Sequence, residues 1–341
     1  MGQPLQMEAV AVTTKVESTY NTDVTPATTD AVRLIMPRPQ VKIGWGYDGD
    51  RGPQNAGNGR WLAAPPNGRT VSGSIKVEPK GLGASYASSA NEVPDVHRFL
   101  RAAGFTATLA AGTSWTFTPD LFSVTPASLS TYFYEGGELW KACGMYTDLK
   151  IDIPNTGIPT FEFPFAATMV TDPADLTLPS MTYTAPTIVP PSAAGVGFTL
   201  HNLTGAVLRS ASFSLGRSFS NPRLAVAGGG GVGHAGFATT FRKPVLDLVI
   251  EMTALTTTPF TTSTLIDPYS LEKAGTTGIC SLQFGGTTNN KWKLTLNQCQ
   301  VVPGSVEKLS ENNEAFGLYK LQVKPYVTTD QGIDDITLLW N

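Results

Sequence analysis

The run Gly231-Val232-Gly233-His234-Ala235-Gly236 spells G-x-G-x-x-G, a spacing that elsewhere cradles a pyrophosphate. That chemistry needs a strand before the run and a helix N-terminus after it, where backbone N–H groups converge on the anion. Here Phe237 to Lys243 leads into Pro244 and an alternating apolar stretch, so the run reads as a loop. His97, His201 and His234 stand far apart, and none lies at metal-ligand spacing from a cysteine or a second histidine. His97 is expected on a helix, as a partly exposed side chain. Cys143, Cys280 and Cys299 are odd in number and scattered, which fits reduced thiols packed as small apolar groups. Neither a G-x-S-x-G elbow nor an H-E-x-x-H run occurs. A carboxylate pair for glycoside cleavage would meet only in space, and 27 acidic residues leave that reading open. The expectation is a protein that is not an enzyme and needs no cofactor or metal.

The elements come next. A chain of 341 residues can bury a sizeable core. Charged residues make up only 15%, while 34 Gly and 25 Pro favour turns and strands. A net charge of −3 argues against a nucleic-acid binder, but not against a wall past which DNA slides. Met1 to Tyr20 does not read as a secretory signal, and no apolar run reads as a membrane span. With the reduced thiols, these readings fit assembly in a bacterial cytosol.

Apolar alternation dominates, so the expected class is all-β with short helices. One helix is expected over Pro94 to Ala103, stopped by Gly104; a second runs from Pro268 to Ala274, with Asp267 as N-cap and Gly275 as the stop. Their surroundings match in order. Val71, Gly73, Ile75 and Val77 alternate before the first, as Leu246, Leu248, Ile250 and Met252 do before the second. After each helix a strand runs into a Gly-Gly turn, Gly136-Gly137 or Gly285-Gly286, and the return strand carries Trp140 or Trp292. Each copy closes on an alternating strand, with Phe161, Phe163 and Phe165 answered by Tyr319, Leu321 and Val323. Each opening strand follows a Gly-rich loop, Gly44 to Gly68 or Ser218 to Thr240. Strands and glycines recur in any all-β protein, but the shared order favours a duplication: residues 1–178, then residues 179–341. The strand Thr113 to Thr118 has no counterpart in the second copy.

Several runs then point to a family. Glu17, Tyr20-Asn21-Thr22-Asp23 and Thr25-Pro26, followed by Asp30, resemble the opening signature of major tail tube proteins of long, non-contractile-tailed bacteriophages; Asn21 replaces the usual glycine. Ser114-Trp115-Thr116-Phe117-Thr118-Pro119 and Tyr132 to Ala142 are similar to that family's central hairpin, and Ser212 to Leu215 is similar to one of its strands. The resemblance implies two tandem tail-tube-like β-sandwich or barrel domains. It implies a structural virion protein whose pseudo-sixfold trimer rings stack into a tube for genome delivery. The implied partners are further copies of the chain, the tape measure protein, the tail terminator and double-stranded DNA that passes without specific binding. No membrane is implied. The runners-up are another tail component on the same fold, such as a terminator or baseplate ring, and a phage carbohydrate-binding or carbohydrate-cleaving β-protein.

Two groups of residues are candidates for the working surfaces. Trp45, Tyr47, Asp48, Asp50, Arg51, Arg60 and Trp61 mix aromatic and charged types in the first Gly-rich loop, as an interface that orders on assembly would. The alternative is a mobile surface loop. Asp148, Lys150 and Asp152 alternate with Leu149 and Ile151, while Lys293, Thr295 and Asn297 alternate with Leu294 and Leu296. These polar faces are candidates for lining a lumen, with ordinary solvent exposure as the alternative.

Overall fold

The computed structural model describes residues 10–35, 40–47, 66–120, 126–155, 157–170, 174–175, 178–183, 187–188, 197–201, 203, 206–220, 223–224, 234–252, 268–309, 317–328 and 334–341. Among them the chain is all-β with two short α-helices. None of these helices is long and apolar enough to cross a membrane. The first half holds β1 (Val10–Val16), β2 (Ala31–Val32), β3 (Gln40–Tyr47), β4 (Pro66–Val77), β5 (Lys80–Gly81), α1 (His97–Ala102), β6 (Phe105–Ala110), β7 (Ser114–Pro119), β8 (Leu129–Glu135), β9 (Glu138–Thr147), β10 (Lys150–Ile153), β11 (Thr160–Met169) and β12 (Ala174–Asp175). The second holds β13 (Thr187–Ile188), β14 (Gly197–Leu200), β15 (Ala206–Ser214), β16 (Arg223–Leu224), β17 (His234–Gly236), β18 (Val245–Met252), α2 (Pro268–Ala274), β19 (Gly278–Thr287), β20 (Asn290–Val301), β21 (Glu307–Leu309), β22 (Gly317–Pro325) and β23 (Ile336–Trp340).

Alternation places the core. On β11 Phe161, Phe163 and Phe165 are buried, and the residues between them are half-exposed. Pro164 sits within that strand although it has no N–H to donate. Its carbonyl accepts the Asp148 N–H at 2.8 Å, so its nitrogen faces the same side, where the chain passes from β9 to β10 outside the ladder. The missing donor therefore faces that crossing and not the ladder with β4.

Local expectations shift at four places. α1 begins at His97 rather than Pro94, because Asp95 adopts φ +63°, which a helix cannot contain. Gly285-Gly286 lies inside β19 at a register shift, and the turn falls at residues 288–289; a strand glycine here marks a bulge. The loop expected from Gly44 to Gly68 is shortened, because β3 runs on to Tyr47 and pairs back to Pro66. The stretch Ser218 to Thr240 likewise carries β16, β17 and a bridge between Phe219 and Thr239.

The two halves pair their strands in one order. The first runs β1-β8-β9-β11-β4-β3. The second runs β14-β19-β20-β22-β18-β15. Every pairing is antiparallel. Phe165 lies opposite Thr147 as Val323 lies opposite Val301, and the Asp148 N–H donates to Pro164 as the Val302 N–H donates to Gln322. These correspondences match the strands residue by residue.

Buried aromatic rings from both halves form one core. Phe161 meets Trp292 edge-on at 5.2 Å and Trp340 at 5.9 Å, while Phe117 meets Trp340 at 5.5 Å. Each such ring removes some 150–250 Å² from water, so the halves cohere mainly through apolar burial.

Candidate assembly surface

Three ladders join the halves; the shortest pairs β5 with β13, setting Thr187 opposite Gly81 and Ile188 opposite Lys80, and the other two are longer. In one, β10 pairs with β15: Lys150 opposite Ser214, Ile151 opposite Phe213, Asp152 opposite Ser212 and Ile153 opposite Ala211. Ile151, Ile153, Phe213 and Ala211 are buried, while Lys150 and Asp152 are exposed. The Leu215 N–H extends the ladder to the Leu149 carbonyl at 2.8 Å. In the other, β7 pairs with β23, setting Trp115 opposite Trp340 and Phe117 opposite Leu338. This is the place of the strand that lacked a counterpart.

Polar groups lock the ladder between β10 and β15. Asp148, expected on a wet face, is buried at 5% exposure and accepts the Arg217 N–H at 3.1 Å. Burial pushes its carboxyl above the usual carboxylate range, and that backbone bond partly offsets the rise. Asp148 therefore belongs to the seam between halves and not to the exposed face. Its neighbours Lys150 and Asp152 do keep the exposed face. The Arg217 guanidinium packs so closely on the end of α1 that a Cβ at Gly104 would fall 2.2 Å from it. Gly104 also has φ +81°, so glycine is required there twice over.

The opening signature forms a buried polar knot. One Glu17 carboxylate oxygen accepts the Ser130 hydroxyl at 2.9 Å and the Gly144 N–H at 2.8 Å. The other accepts the Asn21 N–H at 2.8 Å and the Ser128 hydroxyl at 2.6 Å. Asn21 has φ +58°, the left-handed region that glycine would fill at least cost. Asp23 accepts the Tyr132 hydroxyl at 2.6 Å, and burial, reinforced by that bond, raises the phenol pKa. These contacts make the signature an anchor of β1 onto β8 and β9.

The remaining candidates fall in several places. Trp45 and Tyr47 lie on β3, their backbones opposite Arg69 and Pro66 of β4. Asp48, Asp50, Arg51, Arg60 and Trp61 lie outside the described residues. Lys293, Thr295 and Asn297 are half-buried on β20, between β19 and β23, away from the β10 ladder. Asn297 Nδ2 donates to the Asp334 carbonyl at 2.9 Å and to Thr337 Oγ1 at 3.1 Å, which ties down the approach to β23. No ladder joins the two polar rows within the described residues.

His97, expected to be partly exposed, is 4% exposed, edge-on to Trp115 at 4.6 Å and to Phe117 at 5.1 Å. It lines a cleft of about 450 Å³ with Asp30, Glu92 and Arg98. There Arg98 bonds both Asp30 at 2.8 Å and Glu92 at 2.7 Å, so each carboxylate shares the same guanidinium. Of the G-x-G-x-x-G run, residues 234–236 form β17, and the next regular element is strand β18, not a helix. No single motif announces the seam, but the alternation of Leu149 and Ile151 and the runs Ser114 to Pro119 and Ser212 to Leu215 all fall on it. No family model matches this chain, and no curated protein matches it.

Proposed function

We propose that this chain is a structural subunit that assembles into stacked rings, forming the tube of a phage tail and a conduit for its genome. The observation that carries this reading is the repeated strand order, joined by an edge-to-edge ladder between β10 and β15. Two like units side by side in one polypeptide are two adjacent places on a ring. Three chains would then supply six similar places, in a pseudo-sixfold trimer. Sheet edges that are a liability in a monomer become joints when a neighbour supplies the missing N–H and C=O partners. Heterologous contacts around the axis close a ring, while those along it stay open and make a filament. A modest negative charge suits a wall that DNA must pass without retention.

Negative-stain microscopy and mass measurement of the purified chain test this reading. Long hollow tubes, or rings of three chains that stack, are the expected result. Rings that never stack would redirect the assignment to a terminator or baseplate ring. Discrete monomers that bind glycan would overturn it. Deleting Asp48 to Gly59 is expected to leave folded subunits that no longer polymerise.

A further inference from the structure

Resting on that assembly reading, we propose that β21 of one chain pairs antiparallel with β3 of the next, with Glu307 opposite Lys42, Lys308 opposite Val41 and Leu309 opposite Gln40. The register follows from the joint already closed inside the chain. Tyr319 occupies on β22 the place of Phe161 on β11, by the matched bonds of Val302 and Asp148. Ile151 of β10 lies opposite Phe161, and Lys308 of β21 lies opposite Tyr319. Hence Glu307, Lys308 and Leu309 take the places of Lys150, Ile151 and Asp152.

The other side is matched through β4 and β18. Phe163 lies opposite Ile75 as Leu321 lies opposite Leu248, so Gly73 corresponds to Leu246. Val41 of β3 lies opposite Gly73, and Phe213 of β15 lies opposite Leu246. Gln40, Val41 and Lys42 therefore take the places of Ser212, Phe213 and Ser214. In the closed joint Lys150 faces Ser214, Ile151 faces Phe213 and Asp152 faces Ser212. Carrying that joint one step around the ring brings β21 onto β3 of a second copy.

Two further facts fit this partner. Among the described residues β3 pairs only with β4, and β21 only with β22, so each has one open edge. β2, β6, β12 and β14 of the same sheet also have a single neighbour, but none corresponds to a strand of the closed joint. Glu307 and Lys42 are both exposed and carry opposite charges, whereas the equivalent internal pair, Lys150 and Ser214, has no such complement. Lys308 falls where Ile151 is buried; its aliphatic stem covers Val41 while its amine reaches the rim. The bond between Leu215 and Leu149 makes the Lys150–Ser214 position a non-hydrogen-bonded pair. Its counterpart, Glu307 and Lys42, should then stand about 4.5 Å apart at Cα, within disulfide range.

The test is the full chain carrying both Lys42→Cys and Glu307→Cys, oxidised and run on a non-reducing gel. The native cysteines Cys143, Cys280 and Cys299 are buried and do not compete. Covalent dimers and trimers are expected from the double variant and from neither single one, with Lys42→Cys plus Lys308→Cys linking far less. Charge reversal gives a second readout. Lys42→Glu or Glu307→Lys alone should raise the concentration needed for ring formation roughly two- to fivefold per joint, and the two together should restore it. Rings or tubes that form without cross-chain disulfides, and without rescue by the paired reversal, would overturn this joint and leave the assembly reading standing. A wild-type chain that stays monomeric would overturn both.

Discussion

The hydroxyl of Tyr20 donates to the carbonyl of Phe237 at 2.9 Å and accepts the Phe237 N–H at 2.7 Å, so a tyrosine of the opening signature clasps the second half. Its ring stacks on Tyr146 at 5.3 Å, and Gly236 passes so close beneath that a Cβ there would fall 2.0 Å from the hydroxyl. Tyr20→Phe keeps the stack and removes both bonds. It should destabilise the chain by about 1–3 kcal/mol, read from the midpoint of urea unfolding. Gly236→Ala should cost at least as much, because φ +93° is strained for alanine even before the clash.

Glu17 brings together donors from three separate segments in a site only 8% exposed. Glu17→Ala would leave them facing a void, and a loss of about 3 kcal/mol or more is expected. Glu17→Gln fills the space but turns an amide N–H₂ toward two donors, so it should recover only part of that stability. Full recovery by glutamine, measured by thermal unfolding, would mean that the carboxylate is not needed as a double acceptor.

His97 gives the fold an acid-sensitive point. Burial, reinforced by Arg101 and Arg98, lowers its pKa to about 3. A folded value below the ordinary value of about 6.5 means that the unfolded chain binds the extra proton. The stability tied to neutral His97 is therefore full above about pH 6.5 and is lost as pH falls toward 3. At pH 4 the loss is about 3 kcal/mol, the part of the displacement that lies between pH 6.5 and 4 taken through linkage. His97→Phe, which keeps a ring against Trp115 and Phe117, should flatten the pH dependence of unfolding between 6.5 and 4.

Arg242 and Asp335 make a two-pronged pair, at 2.9 Å and 3.3 Å, with both side chains 5% exposed. Removing one partner takes the close counter-charge away from a buried ion. Asp335→Ala should cost about 3–5 kcal/mol, whereas replacing both with apolar residues should cost much less than either single change. A double-mutant cycle measured by denaturant unfolding checks this non-additivity.

Much of the fold is legible in short windows of the chain. The Phe161-Phe163-Phe165 alternation, the Gly136-Gly137 turn and the Gly104 and Gly275 helix stops all recur in the structure, because side-chain period and turn chemistry act over a few residues. The ends of β3 and the true start of α1 were harder to see. Ladder pairing extended the strand, and one left-handed Asp95 delayed the helix.

Local pattern specified the inward residues of alternating strands such as β11, though not of β8, which is buried on both faces. Only the folded chain chose which edge meets which. Backbone N–H and C=O groups are the same in every strand, so nothing in Lys150–Ile153 names Ala211–Ser214 as its partner, or in Ser114–Pro119 names Ile336–Trp340. Those choices follow from packing rings such as Phe161, Trp292 and Trp340 into one core. The same packing buried Asp148 and His97, whose polarity had marked them for the surface. Burial is a property of the assembled core rather than of residue type.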